Sequence, residues 1–273
     1  MHPDYFKDKV IVITGASSGI GLASARLFGS FGAKVVMAAR SYDKLLSLAP
    51  SVSPDPDNVR CVRTDVSVEA DCRNLVEKTV ETFGRIDVLV NNAGISMRAL
   101  FKDLDLKVIK SLMDVNFWGT VYCTKFALPY LLASRGSVVG VISIAGYSAL
   151  PARAGYSASK YAIRGFLDTV RIEHLKDGLH VMVFAPGYTD SNVRKAALTA
   201  DGSQQGETPL KEDKLMSAEA CARYLAKGLY KRKPQLILTG LGKATVWAHR
   251  LFPGFTDRLT YGYIAREAGS PFK

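Results

Sequence analysis

Lys9-Val10-Ile11-Val12-Ile13-Thr14-Gly15-Ala16-Ser17-Ser18-Gly19-Ile20-Gly21 is an almost unbroken apolar run that stops at glycines. A run this short, apolar on successive residues, suits a strand covered on both faces in a parallel sheet. The residues after it predict a helix over 19–30. A strand feeding a helix through glycines gathers unpaired N–H groups and the positive end of the helix dipole at one point, which suits a pyrophosphate. The spacing Gly15-x3-Gly19-x-Gly21 departs from the common G-x-G-x-x-G fingerprint, so its weight rests on its position directly after the strand.

The same pattern repeats outward. Strands are predicted at 34–39, 58–64, 87–91, 137–143, 179–185 and 235–239, with helices at about 67–83, 105–134, 152–176 and 217–230 between them. Strands alternating with helices predict an α/β fold: a doubly wound sheet of seven mainly parallel strands with helices on both faces. Leu48 to Asn58, with Pro50, Pro54 and Pro56, is expected to be a surface connection. Residues 195–216 follow a strand end where such sheets bind ligands, so they are either a plain loop or a substrate loop able to close as a lid.

With 273 residues the chain suits one large domain burying about three quarters of its unfolded surface. Cys61, Cys72, Cys123 and Cys221 show neither a C-x-x-C pair nor zinc spacing, and read as reduced core or surface thiols, with no metal expected. The start lacks an apolar signal segment, so a cytoplasmic protein is predicted, and no run of about 18 apolar residues offers a transmembrane helix. The formal charge is +11, and residues 223–273 contain ten Lys or Arg against two acids.

Two further features carry chemistry. Ala39-Arg40-Ser41 ends the second strand, where a carboxylate would bind a ribose 2′-hydroxyl. An arginine fork there suits a 2′-phosphate instead, so NADP(H) is expected over NAD(H). Asp65 and Val66, after the third strand, are candidates for the adenine, Asp65 through its carboxylate and Val66 through its amide. Tyr156 and Lys160 are four residues apart, hence on one helix face, and a cation beside a phenol favours the phenolate.

With Thr14 to Gly21, Asn91-Asn92-Ala93-Gly94, Asn116, Ser143, Tyr156-x-x-x-Lys160 and Pro186-Gly187 in this order, the chain resembles the short-chain dehydrogenase/reductase family over roughly residues 8–240. The resemblance implies a Rossmann-type fold, a nicotinamide cofactor and a homodimer or homotetramer built partly on the long helices. It makes Gly15, Ser17, Ser18, Gly19, Ile20 and Gly21 the phosphate cradle. Asn91, Asn92, Ala93 and Gly94 would wall the cofactor, and Pro186, Gly187 and Thr189 would hold the carboxamide. Tyr156 would be the proton donor in reduction, and Lys160 would bind the nicotinamide ribose and depress the Tyr156 pKa. Ser143 would polarise the substrate oxygen, and Asn116 would anchor a water chain from Lys160 to solvent.

The segments 96–101 and 145–151 are mainly apolar or small and are expected to border the substrate, which favours a bulky apolar ketone or alcohol. Together with the basic end of the chain, the residues 113–119 and 156–166 resemble ketosphinganine reductases and hydroxysteroid dehydrogenases, with ketosphinganine as the first candidate. The division expected is one catalytic domain over 1–240 and a basic amphipathic extension over 241–273. That extension either rests on an anionic membrane or packs on protein. No nucleic-acid module accompanies the basic charge, so nucleic acid is not an expected partner. A catalytically silent NADP-binding sensor or scaffold is the competing class, and retention of Asn116, Ser143, Tyr156 and Lys160 argues against it.

Overall fold

The apolar run near the start is the strand about which the sheet turns. A computed structural model describes residues 2–189, 193, 196–206, 215–266 and 269–272. In chain order the elements are β1 (Val10–Thr14), α1 (Gly19–Ser30), β2 (Lys34–Ala39), α2 (Tyr42–Leu48), β3 (Val59–Arg63), α3 (Glu69–Phe83) and β4 (Val88–Asn91). There follow α4 (Leu106–Leu112), α5 (Gly119–Ala133), β5 (Ser137–Val141), α6 (Ala154–Glu173), β6 (His180–Ala185), α7 (Ala218–Tyr230), β7 (Gln235–Ile237), α8 (Gly240–Leu251) and α9 (Pro253–Ala265).

The seven strands lie in the order β3-β2-β1-β4-β5-β6-β7, and every pairing is parallel. The order reverses direction between β1 and β4, the position at which doubly wound sheets bind nucleotides.

Alternate residues of the inner strands serve opposite layers. Ile11, Ile13, Met37, Val90 and Phe184 pack with Phe28 of α1 and Leu225 and Leu229 of α7. Val12, Val36, Leu89, Val138 and Val183 pack with Leu75 of α3, Leu131 of α5 and Leu167 of α6. Because both faces are covered, the strands show no polar alternation, which is why β1 reads as continuously apolar.

Four details differ from the sequence reading. The helix expected over 105–134 is interrupted by a π-helical turn, Met113–Trp118, between α4 and α5. The short helix α2 was not anticipated. The connection after it is no plain surface loop, since Val52 is buried and a β-carbon on Gly29 of α1 would collide with the Val52 carbonyl. Beyond β7, α8 and α9 pack on each other. All four cysteines are buried. Among the described residues no helix is long and apolar enough to cross a membrane.

His180, at the start of β6, is buried and ties three segments together. Its Nε2 lies 2.9 Å from the Lys233 carbonyl, so Nε2 carries the proton, and Nδ1 lies 3.1 Å from Ser137 Oγ. Burial holds its pKa below the ordinary histidine value. In the window from about 6.5 downward to that folded value, the unfolded chain binds the extra proton, so stability falls as pH falls. The expected outcome is that His180→Asn flattens the acid side of the stability curve by up to ~1.4 kcal/mol per pH unit, read by urea unfolding across that window.

Candidate active site

The cleft forms where the carboxyl ends of β1 and β4 part. Thr14 Oγ1 accepts the N–H groups of Asn92 and Ala93, both at 3.0 Å, and the Asn92 amide donates to the Thr14 carbonyl at 2.9 Å. Gly15 then turns with φ +66, a left-handed conformation that side chains resist, and a β-carbon there would stand 2.9 Å from Ala93 Cα. Ser18 begins α1 without a side-chain cap, so the first-turn amides remain for an anion.

The resulting cleft of about 400 Å³ is bordered by Gly15, Ser17, Ser18, Gly19 and Ile20, by Arg40 and Ser41, by Asp65 and Val66, and by Asn92, Ala93 and Gly94. Ser143, Tyr156 and Lys160 lie farther along it, with Pro186, Gly187 and Thr189. The donor set fits a dinucleotide: a bare helix N-terminus for a pyrophosphate, an arginine at the end of β2, and a lysine beside a tyrosine at the other end. Two expected residues stand behind this wall. Gly21 packs against the Gly15 carbonyl, where a β-carbon would collide, so it shapes the loop without lining the cleft. Asn91 is buried and donates to Thr124 Oγ1 at 3.0 Å, fastening β4 to α5, so it does not wall a cofactor.

Asn116 is fully buried in the π-helical turn, and the widened turn presents its side chain to the β4 loop. Its Oδ1 accepts the Ile95 N–H at 2.8 Å, and its Nδ2 donates to the Ile95 carbonyl at 3.0 Å and to Ser159 Oγ at 2.9 Å. A β-carbon on Gly94 would lie 3.1 Å from Asn116 Oδ1 and 3.3 Å from Lys160 Nζ, so the glycine lets the amide, the ammonium and the loop meet.

Lys160 is 4% exposed and donates to the Val141 carbonyl at 3.0 Å, with Nζ 5.7 Å from the Tyr156 ring centre. Burial pushes its pKa down to about 8. The two side chains thus share a face, as the four-residue spacing predicts. The expected depression of the Tyr156 pKa by Lys160 is corrected. Burial raises the phenol above its ordinary value, and the groups that oppose the rise are a hydrogen bond with Ser143 and the charge of Arg153. Lys160 donates one of its N–H groups to the Val141 carbonyl and is not among the groups that lower the phenol.

The substrate end is bounded by Ile95, Ser96, Leu150, Arg153, Tyr188 and Ile264. Of the segments expected there, 96–101 and 145–151, only Ser96 and Leu150 reach the cleft, while Met97 and Ala99 join a separate apolar cluster with Val108 and Leu112. The segment 196–206 is fastened to this rim by Leu198, whose N–H donates to the Ser96 carbonyl at 2.8 Å and whose carbonyl accepts from Arg98 N at 2.8 Å. Residue 195 and residues 207–214 of the expected loop lie outside the described residues. Arg153 and Ile264 were not anticipated. Arg153 directly precedes α6 three residues before the tyrosine, a proximity legible in the chain, whereas Ile264 reaches the cleft only through the tertiary return of α9.

Residues 9–201 match the model of the short chain dehydrogenase family. The 11-beta-hydroxysteroid dehydrogenase 1A of Arabidopsis thaliana is 36% identical over 236 residues, a match spanning 82% of this chain and 66% of that protein, just under two thirds of its length. The dehydrogenase/reductase SDR family member 7B of Bos taurus is 34% identical over 274 residues, covering 97% of this chain and 84% of that protein. Among solved structures, an alcohol dehydrogenase from the archaeon Thermococcus sibiricus complexed with 5-hydroxy-NADP superposes with a TM-score of 0.73 at 26% identity, covering 85% of this chain and 96% of that one. The cleft at the sheet's turning point, the Ser143, Tyr156 and Lys160 constellation and these relatives have one conclusion: the chain belongs to the short-chain dehydrogenase family of oxidoreductases.

Proposed function

We propose that the protein is an NADP(H)-dependent reductase or dehydrogenase of a bulky apolar ketone or alcohol, working in the cytoplasm as a homodimer or homotetramer. The observation that carries this reading is the pairing of Tyr156, Lys160 and Ser143 at one end of a cleft whose other end holds Arg40. Bound NADPH supplies the hydride. Ser143 holds the carbonyl oxygen, Tyr156 gives it a proton, Lys160 binds the ribose, and Ser143 with the charge of Arg153 favours the phenolate left behind. The raised Tyr156 pKa suits this direction, since the phenol keeps its proton through the neutral range. Asn116 is bound to Ile95 and stands beside Gly94 and Lys160, which supports its role as the anchor of a water chain from Lys160 to solvent. Residues 1–240 form the catalytic domain with a substrate loop at 195–216, and 241–273 form the extension.

Arg40 with Ser41 supports NADP(H), because no carboxylate stands at the end of β2. Exposed Trp118 beside α5 and Tyr161 and Ile172 on α6 support an oligomer through the long helices. Ile95, Leu150 and Ile264 support an apolar substrate. A steroid is favoured by the likeness to the plant hydroxysteroid dehydrogenase, and ketosphinganine shares the required chemistry of a ketone on a large apolar body.

NADPH oxidation with ketosphinganine, a ketosteroid and a short ketone, repeated with NADH, tests the reading. Turnover is expected on a large ketone with NADPH, and a protein that binds NADPH but turns over none of the three overturns it. Tyr156→Phe is expected to lower turnover roughly a hundredfold or more while NADPH affinity, measured by fluorescence titration, stays nearly unchanged. Arg40→Asp is expected to lower kcat/KM for NADPH by about 10- to 100-fold and to spare NADH.

The lowered Lys160 pKa gives opposed pH effects. Below about 8 the buried ammonium is charged, which costs stability and supports proton transfer. Between that value and the ordinary lysine value of about 10.4 the unfolded chain holds the extra proton, so this group adds stability as pH rises. The kcat/KM for NADPH, which reports the free enzyme, is therefore expected to fall through pH about 8 while the unfolding midpoint does not fall, and Lys160→Met is expected to remove both trends. Rate and thermal unfolding measured on the same samples check this.

A further inference from the structure

The α8–α9 hairpin is anchored on the active site and bare on its outside. At its root, Thr239 adopts φ +66 and ψ 145, a backbone region that non-glycine residues rarely occupy, while its Oγ1 accepts the Gly242 N–H at 3.0 Å and caps α8. A β-carbon on Gly242 would collide with Ile144, the neighbour of Ser143, and one on Gly187 would lie 3.1 Å from Thr239 Cγ2. The two helices are joined by His249 Nδ1 and Thr256 Oγ1, 3.1 Å apart. At the far end Ile264 of α9 borders the cleft.

The outer faces carry large apolar groups that are more than half exposed among the described residues. On α8, Leu241, Trp247 and Leu251 are 77%, 63% and 61% exposed. On α9, Phe255, Leu259 and Tyr263, at i, i+4 and i+8 and so on one side, are 60%, 57% and 53% exposed. Phe252 joins them at the bend. Lys243 and Arg250 on α8, Arg258 on α9 and Arg266 directly after α9 are exposed, and between Gly240 and Arg266 the only acid is Asp257.

We propose that this hairpin docks on an anionic lipid bilayer and that the substrate passes from the bilayer into the cleft beside Ile264. The entry step rests on the apolar-substrate reading above. Charge selects the occupant. A second copy docked through the same face would bring its four cations alongside these, with only Asp257 between Gly240 and Arg266 of each copy to offset them, and like charges gathered at an interface repel. Anionic headgroups complement them, and tryptophan and tyrosine favour the boundary between headgroup and acyl chain. Helices of 12 and 13 residues are too short to span the bilayer, so they lie along its surface. The contacts of Gly242 with Ile144 and of Ile264 with the cleft then place the substrate end near the lipid.

Co-sedimentation of the full chain with phosphatidylcholine vesicles, and with vesicles that also contain phosphatidylglycerol, tests docking without any need for turnover. Partition is expected on the mixed vesicles and is expected to weaken with added salt. The double variant Leu251→Asp with Leu259→Asp should lower partition more than about tenfold. Arg250→Glu and Arg258→Glu should each lower it roughly fivefold or more, on mixed vesicles only. Turnover of a short water-soluble ketone should be unchanged in these variants, while KM for a vesicle-dissolved ketone rises. Absence of partition by the unaltered chain overturns the proposal. So does a double variant that sediments as a smaller oligomer and still partitions, since the face would then be a contact between copies. A chain that partitions but reduces no ketone overturns the entry step and the functional reading while docking stands, and one that reduces ketones without partitioning overturns docking alone.

Discussion

The site depends on the knot between Thr14 and Asn92. One threonine hydroxyl takes two backbone N–H groups from the end of β4, and the asparagine amide returns a proton to the end of β1. Strand order reverses at this seam, so the loops on either side lead away in opposite directions and leave a crevice. Without a tie, the two strand ends would expose peptide groups to be satisfied by water. With it they are paired within the protein, and the crevice keeps its width without side chains filling it.

From that seam, order spreads by close backbone approach. Ala93 stands against Gly15, and Gly94 against Asn116 and Lys160, so a single four-residue loop touches the phosphate turn, the π-helical turn and α6. The π-helical turn is the device that lets Asn116 reach back to Ile95. An unbroken α-helix over 105–134 would keep the i to i+4 ladder and turn that side chain by a different angle. The irregularity in the helix and the glycine in the loop are therefore two halves of one contact.

The sheet was legible because burial on both faces removes the polar alternation that would blur β1, β4 and β5, and because glycine cannot be replaced at the turn after β1. The Tyr156 and Lys160 pairing was legible from helical periodicity alone. What escaped the sequence is set by tertiary neighbours. Nothing in the residues around Asn116 signals an extra residue per turn, since the π geometry answers a partner, Ile95, twenty-one positions away. Asn91 and Asn92 look alike in the chain, yet strand alternation sends Asn91 to Thr124 and Asn92 to the seam. Ile264 looks like any apolar residue of an amphipathic helix until α9 is seen to return to the cleft.

The electrostatics follow the same rule that location outweighs spacing. A lysine four residues from a tyrosine is positioned to stabilise a phenolate, but here the ammonium is nearly fully buried and its contact is the Val141 carbonyl. Desolvation therefore acts on both groups in the direction that neutralises them, lowering the lysine and raising the tyrosine. Such a pair holds its charge-separated form at a cost, so any group adding negative charge or hydrogen-bond acceptors near Nζ, as ribose hydroxyls would, shifts the lysine back toward the charged state. Arg153 also lines the cleft, and its charge opposes the rise of the phenol. The tyrosine therefore shares its site with two cations of different kinds: a buried lysine whose protonation responds to what fills the cofactor end, and an arginine whose charge acts on the phenol directly.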